Sequence, residues 1–564
     1  MDIDIRPIGR QQWEAFQRTT AAAFGFAPDP DESSFAAEHY EFDRSLAAFD
    51  GDRIVGTGGA YSLELTLPGL TRVAAGGGST EVTVDDGRAL ALDLGTSSVR
   101  ALIFDGEGRA VPGAIARRPT RLLLGEDGKA ELDPEAMVAL VGACLDELAA
   151  AGALDAVELV AMSSAWHSVL AADPAGRPLS GLLTWADTRA AALVAKLRQR
   201  VDAERLHQRT GAPPHDTFWT VKLPWLAEQV PAAARYLGLA EYVTGRLLGD
   251  ASASVSMASG TGLLNLDTID WDAEALELAG VTPSALPALA PEGWTGRLQP
   301  QWARRWPQLA AVPWHPATGD GAASNVGAGC TTPRWANVNI GTSAAIRVVH
   351  EPPAGRLHQR LWCYRVDRSR LVTGEAFSGG GNLFAWARGA LRLPDGHEPV
   401  EAALAAVPPG AEGVTALPYH AGARAPLDLP AGSGSVAGLS LATTPTEILA
   451  ALLEAVCYQL ADGFDALSES LREPPEVVAS GGAVVASPWW QQTLADVLAQ
   501  PVRVVDEPEA SARGAAVLAL GRSSEPDTLH VVRPRPEAVA AQRGARRRNR
   551  ELAERLGAGS PVTP

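Results

Sequence analysis

Two stretches of this chain share one plan. ALALDLGTSSVRALIFD, residues 89–105, is an apolar run, a Gly-Thr-Ser tip and a second apolar run, and NVNIGTSAAIRVV, residues 337–349, repeats strand, tip and strand. The tips lie roughly 250 residues apart, which suggests two related domains that each present a hydroxyl-rich turn. A plain hairpin explains one such tip. A matched pair points equally to something phosphorylated. A glycine at a strand tip lets backbone approach a ligand closely, and the amides that follow can point into one anion-binding concavity. After Gly95, Thr96 and Ser97 add hydroxyl donors, while Asp93 stands just before it. A carboxylate cannot face a phosphate without repulsion. A magnesium ion between them removes that conflict, because it takes carboxylate, water and phosphate oxygens together. The first tip therefore reads as phosphate plus metal, with Asp93 the metal residue. The second, Gly341-Thr342-Ser343, lacks the aspartate and reads as phosphate alone.

Two further segments carry chemistry. PATGDGAASNVGAG, residues 316–329, puts Asp320 between glycines ahead of small residues that can open a helix. A simple N-cap is one reading of Asp320. The other is a base that takes a proton from a hydroxyl. VVASGGAVVASPWWQQTLADVLAQPVRVV, residues 477–505, reads as strand, turn, amphipathic helix and strand. Its Gly481 and Gly482 either let a flat purine lie against backbone or form a tight β–α turn.

Composition bounds the rest. With 564 residues the chain is too long for one core. A net charge of −18 argues against nucleic acid and anionic membrane as partners, and any anion site must be built locally. Cys144, Cys330, Cys363 and Cys457 are scattered and read as reduced, buried thiols of a cytoplasmic protein. The charged N-terminus has no apolar signal-peptide region, and no apolar stretch is long enough to span a bilayer. Homo-oligomerisation is left open.

From residue 89 strand-like and helix-like segments alternate, an α/β pattern, with helices expected over 133–151 and near 189–205. The Arg- and Pro-rich tail from Arg522 ends in a helix that reads as a solvated surface element.

The order DLGTSSVRALIFD, SSAWHS, TWADTR, TGDGAASNVGAG, NIGTSAAIR, ASGGAVVASPWWQQTLAD and EASARGAAVLA resembles the FGGY carbohydrate kinases over roughly residues 88–525. SSAWHSVLAAD, RTGAPPH and GTSAAIR look most like the gluconate-kinase branch. The resemblance implies two actin-like (ribonuclease-H-like) ATPase domains, 85–325 and 326–525, with ATP, Mg²⁺ and sugar in the cleft between them. Residues 526–564 are then a C-terminal tail.

The resemblance also implies roles. Asp93 would sit by magnesium, and Gly95, Thr96, Ser97, Gly341, Thr342 and Ser343 by the phosphates. Gly481 and Gly482 would lie along the adenosine. Asp320 would be the base acting on the sugar's primary hydroxyl. His167, Trp185, Asp187 and Arg189 would lie near the sugar. The activity implied is ATP-dependent phosphorylation of D-gluconate, with xylulose, ribulose or glycerol as alternative acceptors; a non-catalytic sugar sensor is disfavoured because Asp320 is present. Arg189, Lys222 and His167 are candidates to neutralise a sugar-acid carboxylate, although Lys222 reads more readily as a solvated helix residue. Two departures from the family pattern bear on specificity. HAGARAP has Ala423 where a glutamate is usual, with Arg424 kept, and SGGGNLFAW replaces an Asn-Asn-Gly-Gly type segment.

Residues 1–84 resemble the first half of a GNAT acetyltransferase. RIVGTG, Arg53 to Gly58, matches that fold's pyrophosphate-loop pattern literally. It lies in a strand-like run rather than between strand and helix, so it is read as no cofactor loop. The fragment stops before its cofactor site, and no acetyl transfer is expected from it.

Overall fold

The structure is a computed structural model, and it describes residues 3–24, 42, 45–51, 53–67, 71–82, 87–352, 356–423, 432–471 and 473–557. The chain divides into two compact units, 1–87 and 88–564. In the first, β1 (Ile3–Pro7), α1 (Trp13–Phe24), β2 (Ser45–Asp50), β3 (Arg53–Leu67) and β4 (Thr71–Val82) form one antiparallel sheet in the order β1-β2-β3-β4, with a helix. Trp13 and Phe16, one helical turn apart, bury against Phe49 and Ile54. RIVGTG lies inside β3, as its strand-like setting predicted.

The second unit begins with β5 (Arg88–Leu94), β6 (Ser98–Phe104) and β7 (Ala110–Pro119), followed by α2 (Pro134–Ala150) and β8 (Val157–Ser164). Asp133 starts α2, its carboxylate accepting from the amides of Glu135 and Ala136 with Pro134 at the first helical position. α3 (Trp219–Gln229), β9 (Thr318–Gly319) and α4 (Asp320–Gly327) come next. The first sheet has the order β9-β8-β5-β6-β7. β5, β8 and β9 run parallel, and six of the seven residues of β5 are buried, as a strand covered on both faces must be.

β10 (Trp335–Ile340), β11 (Ala344–His350), β12 (Trp362–Arg365) and β13 (Leu371–Phe377) open the second sheet. α5 (Gly381–Ala390), α6 (Pro445–Ser470), β14 (Glu476–Ser480), β15 (Val502–Val504), α7 (Ala510–Ala519), β16 (His530–Val532) and α8 (Pro536–Arg555) follow. Its strand order is β12-β13-β11-β10-β14-β15-β16.

Two expectations change. The helix foreseen near 189–205 is broken into Val194–Arg198 and Ala203–Thr210, because the Asp202 side chain caps a new start at the Arg205 amide. α8 is not a solvated surface helix. It buries Ala538, Gln542, Ala545, Asn549 and Ala553, and Gln542 bonds to both Glu454 and Tyr458 of α6. α7, late in sequence, packs on the first sheet: Ala512 and Ala516 join Ala89, Ala91, Leu102 and Phe104 in one apolar cluster. It also lies against α4 so closely that a Cβ on Gly514 would be 1.8 Å from the Ala323 carbonyl oxygen, and one on Gly327 1.9 Å from that of Ala510. All four cysteines are buried free thiols. Among the described residues no helix is long and apolar enough to cross a membrane.

Candidate active site

The carboxyl ends of β5, β8 and β9 meet at one place. Ser163 pairs with Asp93 on one side and Thr318 on the other, so the strand ends carrying Asp93 and Asp320 stand in register. Asp320 is the first residue of α4, not its cap; Gly319 holds that position, and the Asp320 Oδ1 accepts from the Gly321 amide at 2.8 Å. Asp93 is buried, and desolvation pushes its carboxyl up to about 6. Arg100 opposes that rise from the facing position of β6, and the negative charges of Asp320 and Glu509 add to it. The Arg100 guanidinium lies 3.8 Å from Asp93 and 2.7 Å from Glu509, just ahead of α7. One buried and one half-buried carboxylate thus face the same space.

The glycine turns divide into two kinds. At Gly481 φ is +96°, and a Cβ would sit 2.7 Å from the Ile340 carbonyl oxygen, so this glycine exists for close backbone packing. A Cβ on Gly380 would lie 2.6 Å from the carbonyl carbon of Ser343, and one on Gly381 2.7 Å from the Gly341 carbonyl oxygen. These contacts seat the start of α5 on the Gly341-Thr342-Ser343 tip, where Gly381 and Asn382 amides donate to the carbonyls of Gly341 and Thr342. Gly482 differs, with nothing within 4 Å of its Cβ position, and at Gly341 the nearest atom is 4.0 Å away. That open space above glycine backbone is what an approaching ligand needs. β10 and β14 run parallel with Asn339 opposite Ser480, so the Gly341 and Gly481-Gly482 turns leave the sheet side by side. In the first sheet, the Gly95 amide closes the tip on the Ser98 carbonyl, and the carbonyls of Thr96 and Ser97 accept from Thr120.

His167, Trp185, Asp187 and Arg189 lie on two neighbouring loops. His167 has φ +68°, uncommon for a residue with a Cβ, and its Nδ1 lies 2.5 Å from the Gly260 carbonyl oxygen. Its ring stands edge-on to Phe218 and Tyr364. Arg189 is held by Asp187 through Nε at 3.1 Å and Nη2 at 2.7 Å, pairs with Glu131, and stacks on Trp225. Lys222 overturns its reading as solvated: it is 0% exposed. Its ammonium donates to the carbonyl of Thr184 at 2.5 Å and lies 3.4 Å from that of His167, tying the two loops together. Burial pushes it down to about 8 against the pull of Asp187 and Asp216. Arg424 lies outside the described residues.

Behind His167, Ser168 caps the helix Leu239–Leu248 by accepting from the Leu239 amide. Glu241 in that helix is buried, and desolvation lifts its carboxyl to about 7, although the Glu241 and Gly238 amides oppose the rise. The folded state therefore keeps a proton that the unfolded chain releases near 4.5. Its stabilising contribution is full below that pH and is lost as pH rises through about 7. Glu241→Gln is expected to match the wild type near pH 4.5 and to exceed it by up to about 3 kcal/mol at pH 8, read from denaturant midpoints. Equal midpoints at pH 8 would refute this.

The N-terminal domain profile of the FGGY family of carbohydrate kinases matches residues 88–327, and its C-terminal domain profile matches residues 336–521. A gluconokinase of Bacillus subtilis (strain 168) is 30% identical over 458 residues, 78% of this chain and 89% of its own.

This chain belongs to the FGGY family of carbohydrate kinases.

It is a sugar kinase, and its fold is the pair of actin-like, ribonuclease-H-like domains of that family. The gluconate kinase of Lactobacillus acidophilus shares 25% identity at a TM-score of 0.76, covering 84% of this chain and 99% of its own. The xylulose kinase of the same organism gives 25% and 0.77 over the same shares. Residues 4–88 match an acetyltransferase (GNAT) domain profile. An FGGY kinase implies a sugar and ATP as reactants. Sequence reasoning gave no role to Arg100, Glu509 or Arg347, although each lies within a motif it singled out, DLGTSSVRALIFD, EASARGAAVLA and GTSAAIR.

Proposed function

We propose that this kinase transfers the terminal phosphoryl group of ATP to the primary hydroxyl of D-gluconate. The observation that carries the reading is the Asp93–Asp320 pair at the ends of parallel strands, with one carboxylate buried and one at a helix start. Phosphoryl transfer asks for positioning and charge neutralisation more than covalent help, and a hydroxyl nucleophile asks for one carboxylate within reach.

Asp320 is assigned as that base. Asp93, a hard oxygen donor raised by desolvation, suits Mg²⁺, and the described residues hold no cluster of three or more ligating side chains. The ion would thus rest on Asp93 with water and nucleotide oxygens, supplying charge neutralisation at the phosphates. The 95–97 and 341–343 tips are assigned to phosphate, and the Gly481-Gly482 turn to adenosine. The open backbone faces of Gly341 and Gly482 support both assignments. His167, Trp185, Asp187 and Arg189 are assigned to the sugar side. Residues 85–325 and 326–525 are the proposed lobes, 1–84 a truncated acetyltransferase-like segment without acetyl transfer, and 526–564 the tail.

The gluconokinase relative supports gluconate, while the xylulose kinase likeness supports a ketose as second reading. A coupled ADP-release assay over gluconate, xylulose, ribulose and glycerol tests this. Gluconate is expected to give the highest kcat/KM; a higher value on any other acceptor would replace it.

A further inference from the structure

Gluconate carries a carboxylate at the end remote from its reacting hydroxyl, and a buried site must supply a cation for it. The cations near the sugar loops are already committed. Arg189 is balanced by two carboxylates, Asp187 and Glu131. Lys222 is spent on backbone carbonyls at the loop junction. His167 is engaged by the Gly260 carbonyl.

Arg347 differs. It sits on β11, in the opposite sheet, yet a Cβ on Gly321 would lie 3.1 Å from its Nε and 2.7 Å from the Trp166 ring, so its guanidinium lies beside the start of α4. Gly374, its partner on β13, has no side chain to crowd its stem: a Cβ there would meet the Arg347 Cγ at 2.9 Å. Its Nε is buried without a hydrogen-bond partner, an arrangement native interiors avoid. No ion pair to Arg347 exists among the described residues. Asp320 and Tyr364 both act on it electrostatically, and burial pushes it below the usual guanidinium range. The guanidinium therefore lies beside the helix start that carries the assigned base, within electrostatic reach of Asp320 and of Tyr364, whose ring packs against that of His167.

We propose that Arg347 binds the carboxylate of the sugar acid and is the residue that selects an acid over a neutral polyol. The assignment rests on the gluconate reading above. A planar guanidinium whose Nε–H lacks a partner matches a carboxylate in two parallel hydrogen bonds, which a neutral hydroxymethyl group cannot reproduce.

The test compares full-length wild type, Arg347→Gln and Arg347→Lys by steady-state kinetics on D-gluconate and on D-glucitol, the neutral polyol with the same carbon chain. The wild type is expected to favour gluconate. Arg347→Gln is expected to lose about 100-fold or more in kcat/KM on gluconate, chiefly through KM, so that the preference collapses, and Arg347→Lys is expected to recover part of it. A structural role would lower both substrates alike and preserve the preference, and that result would overturn the assignment. A fall in kcat on both substrates at unchanged KM would place Arg347 at the transferring phosphoryl group and overturn it too. A wild type inactive on gluconate would remove the substrate reading and this assignment together, whereas gluconate activity with a preference surviving in Arg347→Gln removes the assignment alone.

Discussion

Asp320→Asn is expected to slow turnover by about 100-fold or more while leaving ATP affinity nearly unchanged. The amide keeps the size of the carboxylate and can still accept from the Gly321 amide, so the start of α4 stays in place. It cannot accept a proton from the sugar hydroxyl. The substitution also removes one of the negative charges that hold the Asp93 carboxyl up at about 6. In the protein without metal or nucleotide, Asp93 should therefore ionise at lower pH in the variant. Calorimetric nucleotide titration, alongside ADP-release kinetics, separates the effect on affinity from that on turnover. Near-normal turnover in this variant would remove Asp320 as the base.

Gly514→Ala is expected to destabilise the kinase unit by about 3 kcal/mol or more. The methyl group would be placed 1.8 Å from the Ala323 carbonyl oxygen and 2.8 Å from the Gly327 nitrogen, and both are backbone atoms that no rotamer change can move. Relief requires α7 and α4 to separate. α4 begins with Asp320, and Glu509, directly ahead of α7, holds Arg100, so separation would also disturb the two-carboxylate site. Gly389→Ala is the control: it lies in a helix with nothing within 4 Å of its Cβ position, and alanine there is expected to be neutral or stabilising by up to about 1 kcal/mol. Denaturant midpoints and residual activity measure both. A Gly514→Ala protein as stable as the wild type would show that the two helices can part without cost.

Much of the site's skeleton was legible because turns are local. The Gly-Thr-Ser tips, the glycine pair after β14 and the helix opening at Asp320 each rest on residues adjacent in sequence, where backbone preference acts directly. Lys222 was misread for the opposite reason. On α3 it has the look of a solvent residue, and only the loops carrying Thr184 and His167, folded against that helix, make it a buried strut. The Asp187–Arg189 pair was visible as neighbours, but Glu131, which completes the charge balance, is remote in sequence. α8 looked like a solvated helix because its arginines dominate its composition. Its buried Gln542 and Asn549 find partners on α6 and on the segment at Ala416.

The sequence by itself determined the two-lobed α/β architecture, the family and the places of the glycine turns, since these depend on short-range pattern and on the order of motifs. Only the tertiary structure decided which charges remain unspent. Burial makes an unpaired ion costly, and whether Arg189, Lys222 or Arg347 has a partner depends on chains of contact between elements distant in sequence.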